Sequence, residues 1–256
     1  MPGEATVLLL LILLGPAVGS FLAVLLDRLP RDEDIVARPS SCRSCGAALS
    51  PFQMIPIVSF AVQRGRCGKC GAGIPPWLLY TELLCLGAGG LAVLQGGDLL
   101  TIILSALFLW LLVALSMADL LWFRLFDLLT ACLAVVTFSM ALTPDGMGLM
   151  FAFWGAVIGA GSFAALRMAY QMLRGREGLG LGDVKLMVGL GAFAGPYDLP
   201  LLVLMAALAA LGVALIQRVG APGSLAADRP LPFGTALCAA AAVMWLIGPQ
   251  LYPVTW

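Results

Sequence analysis

Apolar residues along this chain collect in long unbroken runs, and short polar turns separate one run from the next. Barrel-type alternation is absent, so the pattern predicts helices. A hydrocarbon core of about 30 Å is crossed by roughly 20 helical residues, and the runs approach that length. Eight spans are expected, at about 5–26, 77–95, 99–117, 128–143, 148–168, 184–196, 199–216 and 233–252. The first, "ATVLLLLILLGPAVGSFLAVLL", has no basic residue ahead of it and is too long for the h-region of a secretory signal. It reads as a retained helix.

Composition agrees, with 61% hydrophobic and 11% charged residues and a mean hydropathy of +1.02. Such values belong to an integral membrane protein built as a bundle of transmembrane helices. Charge adds direction. If the segment after the first span is cytoplasmic, then Arg28, Arg31, Arg38, Arg43, Arg64, Arg66 and Lys69 lie inside, together with Arg124, Arg167, Arg174, Arg176, Lys185, Arg218 and Arg229. That accounts for all 14 basic residues, while the opposite turns "QGGD", "TPDGM" and "GPYD" carry only acids. The positive-inside rule therefore expects both ends of the chain outside. It also favours a hairpin between 184–196 and 199–216 over one merged span, which would leave seven spans and place Arg218 and Arg229 outside.

Residues 27–76 form the one stretch between spans long enough for a small domain. Cys42, Cys45, Cys67 and Cys70 there form C-x2-C-x21-C-x2-C, two knuckles that bring four thiolates to one ion, with Gly46 and Gly71 easing the tight turns. A pair of disulfides is the alternative, and a reducing cytosol disfavours it. Four thiolates without histidine suit a closed structural zinc site. Cys85, Cys132 and Cys238 fall in apolar spans and read as small buried hydrophobes.

The chain has no histidine. Ser-His-Asp and Cys-His nucleophile systems and H-E-x-x-H metalloproteases are thereby excluded. Acids in the outer turns, with Asp32, Glu33 and Asp34, read as solvated loop charges. Glu82, Asp119, Asp127 and Asp183 instead sit at or inside membrane boundaries, where an ionisable group is a functional candidate. Asp119 ends the third span and Asp183 opens the sixth, which places both at cytoplasmic helix ends. The 14 residues between Asp183 and Asp198 make only about 21 Å of helix, so Asp183 is expected below the surface. Gly178, Gly180 and Gly182 supply a closely packing loop before it, and Asp183 is also a candidate N-cap. Two carboxylates in one recess favour a shared proton, the arrangement by which an aspartic protease activates water and stabilises the oxyanion.

"GLGD", followed by Val184 and Lys185, resembles the GxGD signature of intramembrane aspartyl proteases, and the chain resembles the bacterial type IV prepilin peptidases. "GSFLAVLLDRLP", the cysteine segment "CRSCGAALSPFQMIPIVSFAVQRGRCGKCGAGI" and "LPFG" at 231–234 are similar to elements of that family, so the resemblance covers nearly the whole length. It implies Asp119 and Asp183 as the catalytic pair, Asp127 as an accessory acid, and Gly180, Gly182, Lys185 and Glu82 as supporting residues. Three positions depart from the family pattern: "LFD" replaces IPD at 125–127, Ala23 stands for asparagine and Asp27 for tyrosine. The last two bear on methylation more than on proteolysis.

The resemblance further implies substrates that are prepilins and pseudopilins, cleaved after a glycine on the cytoplasmic face of the bacterial inner membrane, with the lipid bilayer and no nucleic acid as partner. The substrate helix would lie beside the third to sixth spans. S-adenosylmethionine would serve as methyl donor where members also methylate the new N-terminus. Gly155 and Gly159 form G-x3-G, which permits close approach of a neighbouring helix, and packing inside the bundle is the favoured reading. The expected whole is an all-α polytopic membrane protein: a first transmembrane helix (1–26), a cytosolic zinc-ribbon-like domain with four cysteine ligands (27–76) and a transmembrane aspartyl peptidase domain (77–256). A proton-coupled transporter using the same carboxylates and a noncatalytic zinc-containing scaffold are the alternatives.

Overall fold

The computed structural model describes residues 2–35, 39–176, 178–220 and 231–251; Arg38 and Arg229 lie outside the described residues. The chain divides into two compact units, Met1–Gly97 and Asp98–Trp256. The first unit holds α1 (Pro2–Arg28), the one-turn α2 (Val58–Val62) and α3 (Pro76–Gln95). The second holds α4 (Leu99–Trp122), α5 (Asp127–Ala141), α6 (Leu149–Arg174), α7 (Leu181–Gly220) and α8 (Phe233–Leu251).

Among the described residues, five stretches are long and apolar enough to cross a bilayer: Thr6–Arg31, Pro76–Gln95, Leu99–Trp122, Leu149–Arg174 and Leu181–Gln217. Asp127–Ala141 and Phe233–Gly248 are apolar but shorter. The all-helical, multi-pass expectation is met.

α7 is broken rather than straight. Gly195 adopts φ 66° and ψ 176°, a backbone conformation open to glycine almost alone, and Pro196 has no N–H with which to continue the ladder. A Cβ built on Gly159 would lie 3.0 Å from the Met187 carbonyl oxygen and 3.4 Å from Leu199 Cδ1. A straight helix would hold residues 187 and 199 about 18 Å apart, so the chain turns back at Gly195. The hairpin that the charge pattern favoured is present. With α7 counted as two arms, the apolar helical segments among the described residues number eight.

Lipid tails are as apolar as leucine, so close backbone packing has to hold such helices together. In the second unit, a Cβ on Gly155 would collide with the Gly191 carbonyl oxygen. The Gly155/Gly159 pair thus serves packing within the bundle. Phe108 of α4 stacks on Phe193 of α7 with ring centroids 4.5 Å apart. α4 and α8 run antiparallel, since Thr235 meets Asp119 at one end and Trp245 meets Ser105 further along. In the first unit α1 packs on α3 by the same device: Cβ atoms on Gly15 and Gly19 would lie 2.7 Å from Cys85 O and from Glu82 Cα. That second glycine pair was not anticipated.

Candidate active site

α4 runs past its expected end at 117 to Trp122, where Phe123 turns left-handed (φ 49°) and donates its N–H to the Asp119 carbonyl. Asp119 therefore stands inside the last turn, and its residue surface is only 6% exposed. Its carboxylate meets the start of α8. The first N–H groups of a helix have no partner in their own helix, and their positive end attracts an anion. Asp119 Oδ2 takes that position, accepting from the Thr235 N–H at 2.7 Å and lying 3.1 Å from Thr235 Oγ1. The Gly234 N–H also donates to it, and a Cβ on Gly234 would sit 3.1 Å from Oδ2, so glycine admits the approach.

Asp183 is reached through the glycine loop. The helix begins at Leu181, so Asp183 lies in the first turn and is not the N-cap, contrary to one expectation; instead it accepts from the Gly180 N–H. The loop is clamped from α6, where Arg167 donates to the Leu179 carbonyl at 2.6 Å and the Tyr170 ring lies against Gly178. Gly182 has no room for a side chain, because its Cβ would fall 2.9 Å from Leu125 Cβ. Leu125 Cδ1 also lies 3.1 Å from the Cβ position of Gly234, so one leucine spaces the loop from the start of α8.

Asp119 and Asp183 line one recess of about 310 Å³ together with Phe123, Arg124, Leu125, Asp127 and Lys185. They are near enough for the charge of one to act on the other. Lys185 and Asp127 meet at 2.6 Å on the rim, with side chains 49% and 74% exposed. Of the residues singled out in the sequence, Asp119, Asp127, Gly180, Gly182, Asp183 and Lys185 thus come together. Glu82 is not among them, and its carboxylate accepts the Ile57 N–H at 2.7 Å within the first unit. Thr235 was missed, although the "PFG" element ends one residue before it.

The four knuckle cysteines also converge, with sulfurs within 4.8 Å of one another. The two knuckles match bond for bond: the Gly46 N–H donates to Cys42 O and the Cys42 N–H to Ala47 O, as Gly71 does to Cys67 and Cys67 to Ala72. Gly46 and Gly71 have φ of 70° and 73°, the left-handed turn expected of them. Backbone N–H groups, first that of Cys45 and then that of Ser44, pull the Cys42 thiol down to about 6. Cys67 is lowered by Cys70 and Lys69 in the same way. At Cys70 the Ala72 N–H pulls down as well, but the neighbouring thiols prevail and hold it at about 11. A tetrahedral ion at about 2.3 Å from each sulfur sets edges of about 3.8 Å. Cys42 and Cys70 sulfurs are 3.8 Å apart, and all seven cysteines are free thiols, so the cluster fits a metal ion better than two disulfides.

Two side chains differ from expectation. Cys132 is exposed rather than buried, while Cys85 and Cys238 are buried as expected. Glu33 is not simply solvated: Arg43 lies between it (3.5 Å) and Asp27, and Asp27 also pairs with Arg31 at 2.7 Å. This chain of charges ties the first knuckle to the end of α1.

Two family profiles match the chain, the bacterial peptidase A24 N-terminal domain over residues 13–95 and the type IV leader peptidase family over residues 106–215. Curated relatives named prepilin leader peptidase/N-methyltransferase match at similar levels. That of Burkholderia pseudomallei (strain 1026b) is 33% identical over 94% of this chain and 85% of its own length. That of Dickeya chrysanthemi is 34% identical over 92% and 91%, and that of Pseudomonas aeruginosa 30% identical over 94% and 90%. No solved structure matches. With a third of its residues shared across almost the full length of such relatives, the chain belongs to the type IV leader peptidase family.

Proposed function

We propose that the chain is an intramembrane aspartic endopeptidase that removes the leader peptide of type IV prepilins and of type II secretion pseudopilins, with Asp119 and Asp183 as its catalytic pair. The observation that carries this reading is the convergence of both acids on one recess, one on a helix start and the other on a glycine loop. Asp119 accepts from two backbone N–H groups and lies within reach of a hydroxyl, whereas Asp183 accepts from one backbone N–H, so of the two Asp119 is the better held as a carboxylate and is assigned as the base. Its Oδ2 is occupied by those donors, which leaves Oδ1 to take a proton from water as the oxygen attacks the scissile carbonyl. Asp183 begins protonated, hydrogen-bonds the developing oxyanion and then gives its proton to the leaving amine. The Gly180 N–H steadies Asp183 as its charge changes.

The recess lies on the cytoplasmic face of the bacterial inner membrane in this reading. Support comes from the second unit, where Arg124, Arg167, Arg174, Arg176 and Lys185 gather at the recess end of the helices and Asp98, Asp145 and Asp198 at the other. The cysteine cluster holds one structural zinc, through Cys42, Cys45, Cys67 and Cys70, and the ion draws the two knuckles into one body. Residues 27–76 form this cytosolic module between the first helix and a peptidase region spanning 77–256. The relatives' names also support N-methylation of the new N-terminus, for which bound S-adenosylmethionine supplies the methyl group.

One assay tests the whole: purified chain in lipid vesicles, a prepilin substrate, and mass analysis of the product N-terminus. Leader removal by the parent chain and none by Asp119→Asn or Asp183→Asn is expected; substantial cleavage by either variant refutes the pair. A methyl group on the product supports methylation, and a free amine counts against it. Elemental analysis should find one zinc per chain, and its absence would reject that assignment.

A further inference from the structure

The cysteine module carries a feature that a water-soluble insert would not need. Between the knuckles, Phe52, Met54, Ile55, Val58 and Val62 are exposed, Phe52 by 81% and Val62 by 77%. They lie on the short Pro51–Met54 3-10 turn, on α2 and, for Ile55, between the two, and exposed Arg64 and Arg66 follow directly. Clustered large apolar side chains on a water-facing surface are unfavourable and mark a site that meets something apolar.

Two helices measure how deep this segment lies. Ile57, at its centre, donates its N–H to Glu82 Oε2 at 2.7 Å. Glu82 is six residues into α3, and the 20 residues of α3 make about 30 Å of helix, just enough for a hydrocarbon core, so Glu82 lies about 9 Å from the end. The second measure is α1. A Cβ on Gly19 would stand 2.7 Å from Glu82 Cα, and Gly19 precedes Arg28, the last residue of α1, by about 13 Å of helix. Both place the Glu82 backbone about 10 Å inside the helix ends, and the carboxylate it extends to Ile57 lies between that depth and the start of α3. The segment therefore dips below them. Its central turn is locally bonded: Ile57 adopts φ 62° and ψ −53°, a strained turn for a β-branched residue, closed by the Val58 N–H to Pro56 O at 2.6 Å. Non-helical backbone at membrane depth needs such local partners.

We propose that Pro51–Val62 is a re-entrant anchor, seated among the acyl chains of the leaflet on the module's side and fixed there by Glu82. Phe52, Met54, Ile55, Val58 and Val62 face lipid tails. Arg64 and Arg66 lie at the level of anionic headgroups, where basic residues gain electrostatic attraction. The exposed side chains of α3 at Tyr80, Leu83 and Leu84 continue the same lipid-facing surface. Glu82 is thus a positioning residue for the anchor.

The test uses the full chain in vesicles of phosphatidylethanolamine and phosphatidylglycerol, with photoreactive p-benzoylphenylalanine in place of Phe52, of Val62, or of Ala48 as control. All three side chains are exposed, so the replacements leave the packed interior alone. After irradiation, peptides carrying position 52 or 62 should gain the mass of one phospholipid, and the peptide carrying position 48 should not. Cross-links to protein at 52 and 62, no adduct at either, or equal lipid capture at 48 would each overturn the proposal.

Discussion

Thr235→Val removes one hydroxyl beside Asp119 and changes little else, since valine has the same shape and the backbone N–H at 2.7 Å stays. The hydroxyl lies 3.1 Å from Asp119 Oδ2 and 3.2 Å from the Ser116 carbonyl, so its single proton is divided between two acceptors. A hydrogen bond to a charged group contributes about 1.5–3 kcal/mol. At 3.1 Å the contact is longer than the 2.5–2.7 Å of a strong charge-assisted O–H bond, which favours the lower figure. About 1.5 kcal/mol corresponds to roughly a tenfold loss in rate. The assay is steady-state cleavage of a prepilin over a range of substrate concentrations, which gives kcat and KM separately. In the proposed mechanism Thr235 holds the base rather than the substrate, so kcat should fall and KM stay, and Thr235→Ser should recover most of the rate. A kcat within twofold of the parent, or a loss confined to KM, would refute the argument that the hydroxyl holds Asp119.

Three further outcomes are expected. Gly182→Ala drives a Cβ into Leu125 Cβ and displaces the loop that carries Asp183, so cleavage should drop by about a hundredfold, partly restored by Leu125→Gly in the same chain, which removes that Cβ; full activity in the single variant would show that the tight seat is not needed. Asp127→Asn breaks an exposed ion pair with Lys185, and the thermal unfolding curve should shift by less than about 1 kcal/mol, a larger change being inconsistent with a solvated rim pair. Gly155→Val sets a side chain against the Gly191 carbonyl, and the monodisperse fraction in detergent should collapse; an unaltered chromatogram would rule out the close contact of α6 with α7.

The helices were legible because crossing a bilayer demands composition and length, which any window of sequence displays. The knuckles were legible because metal geometry demands spacing. Even the hairpin in α7 followed from charge, since Arg218 had to return to the side of Lys185. What escaped depends on distant partners. Thr235 is an ordinary helical residue until the start of α8 is set against the end of α4, 116 positions earlier. Pro232 was the available signal, because a proline just ahead of a helix marks where its unpartnered N–H groups begin. Cys132 was misjudged by carrying over a rule from soluble proteins: toward lipid, an exposed small apolar side chain incurs no penalty. The ion pairs around Asp27 were invisible for a third reason, that surface charges acquire partners only when loops fold back.

Around the recess the helices are short. α5 has 15 residues and the arm of α7 before Gly195 has 14, or about 22 and 21 Å, against a hydrocarbon layer of about 30 Å. This is hydrophobic mismatch, and a bilayer meets it by local thinning at a cost of fractions of a kcal/mol per Å. The protein thereby sets the water boundary near Asp119 and Asp183 by the reach of its own helices, and a substrate segment meets a shallower slab of lipid here than elsewhere in the same membrane.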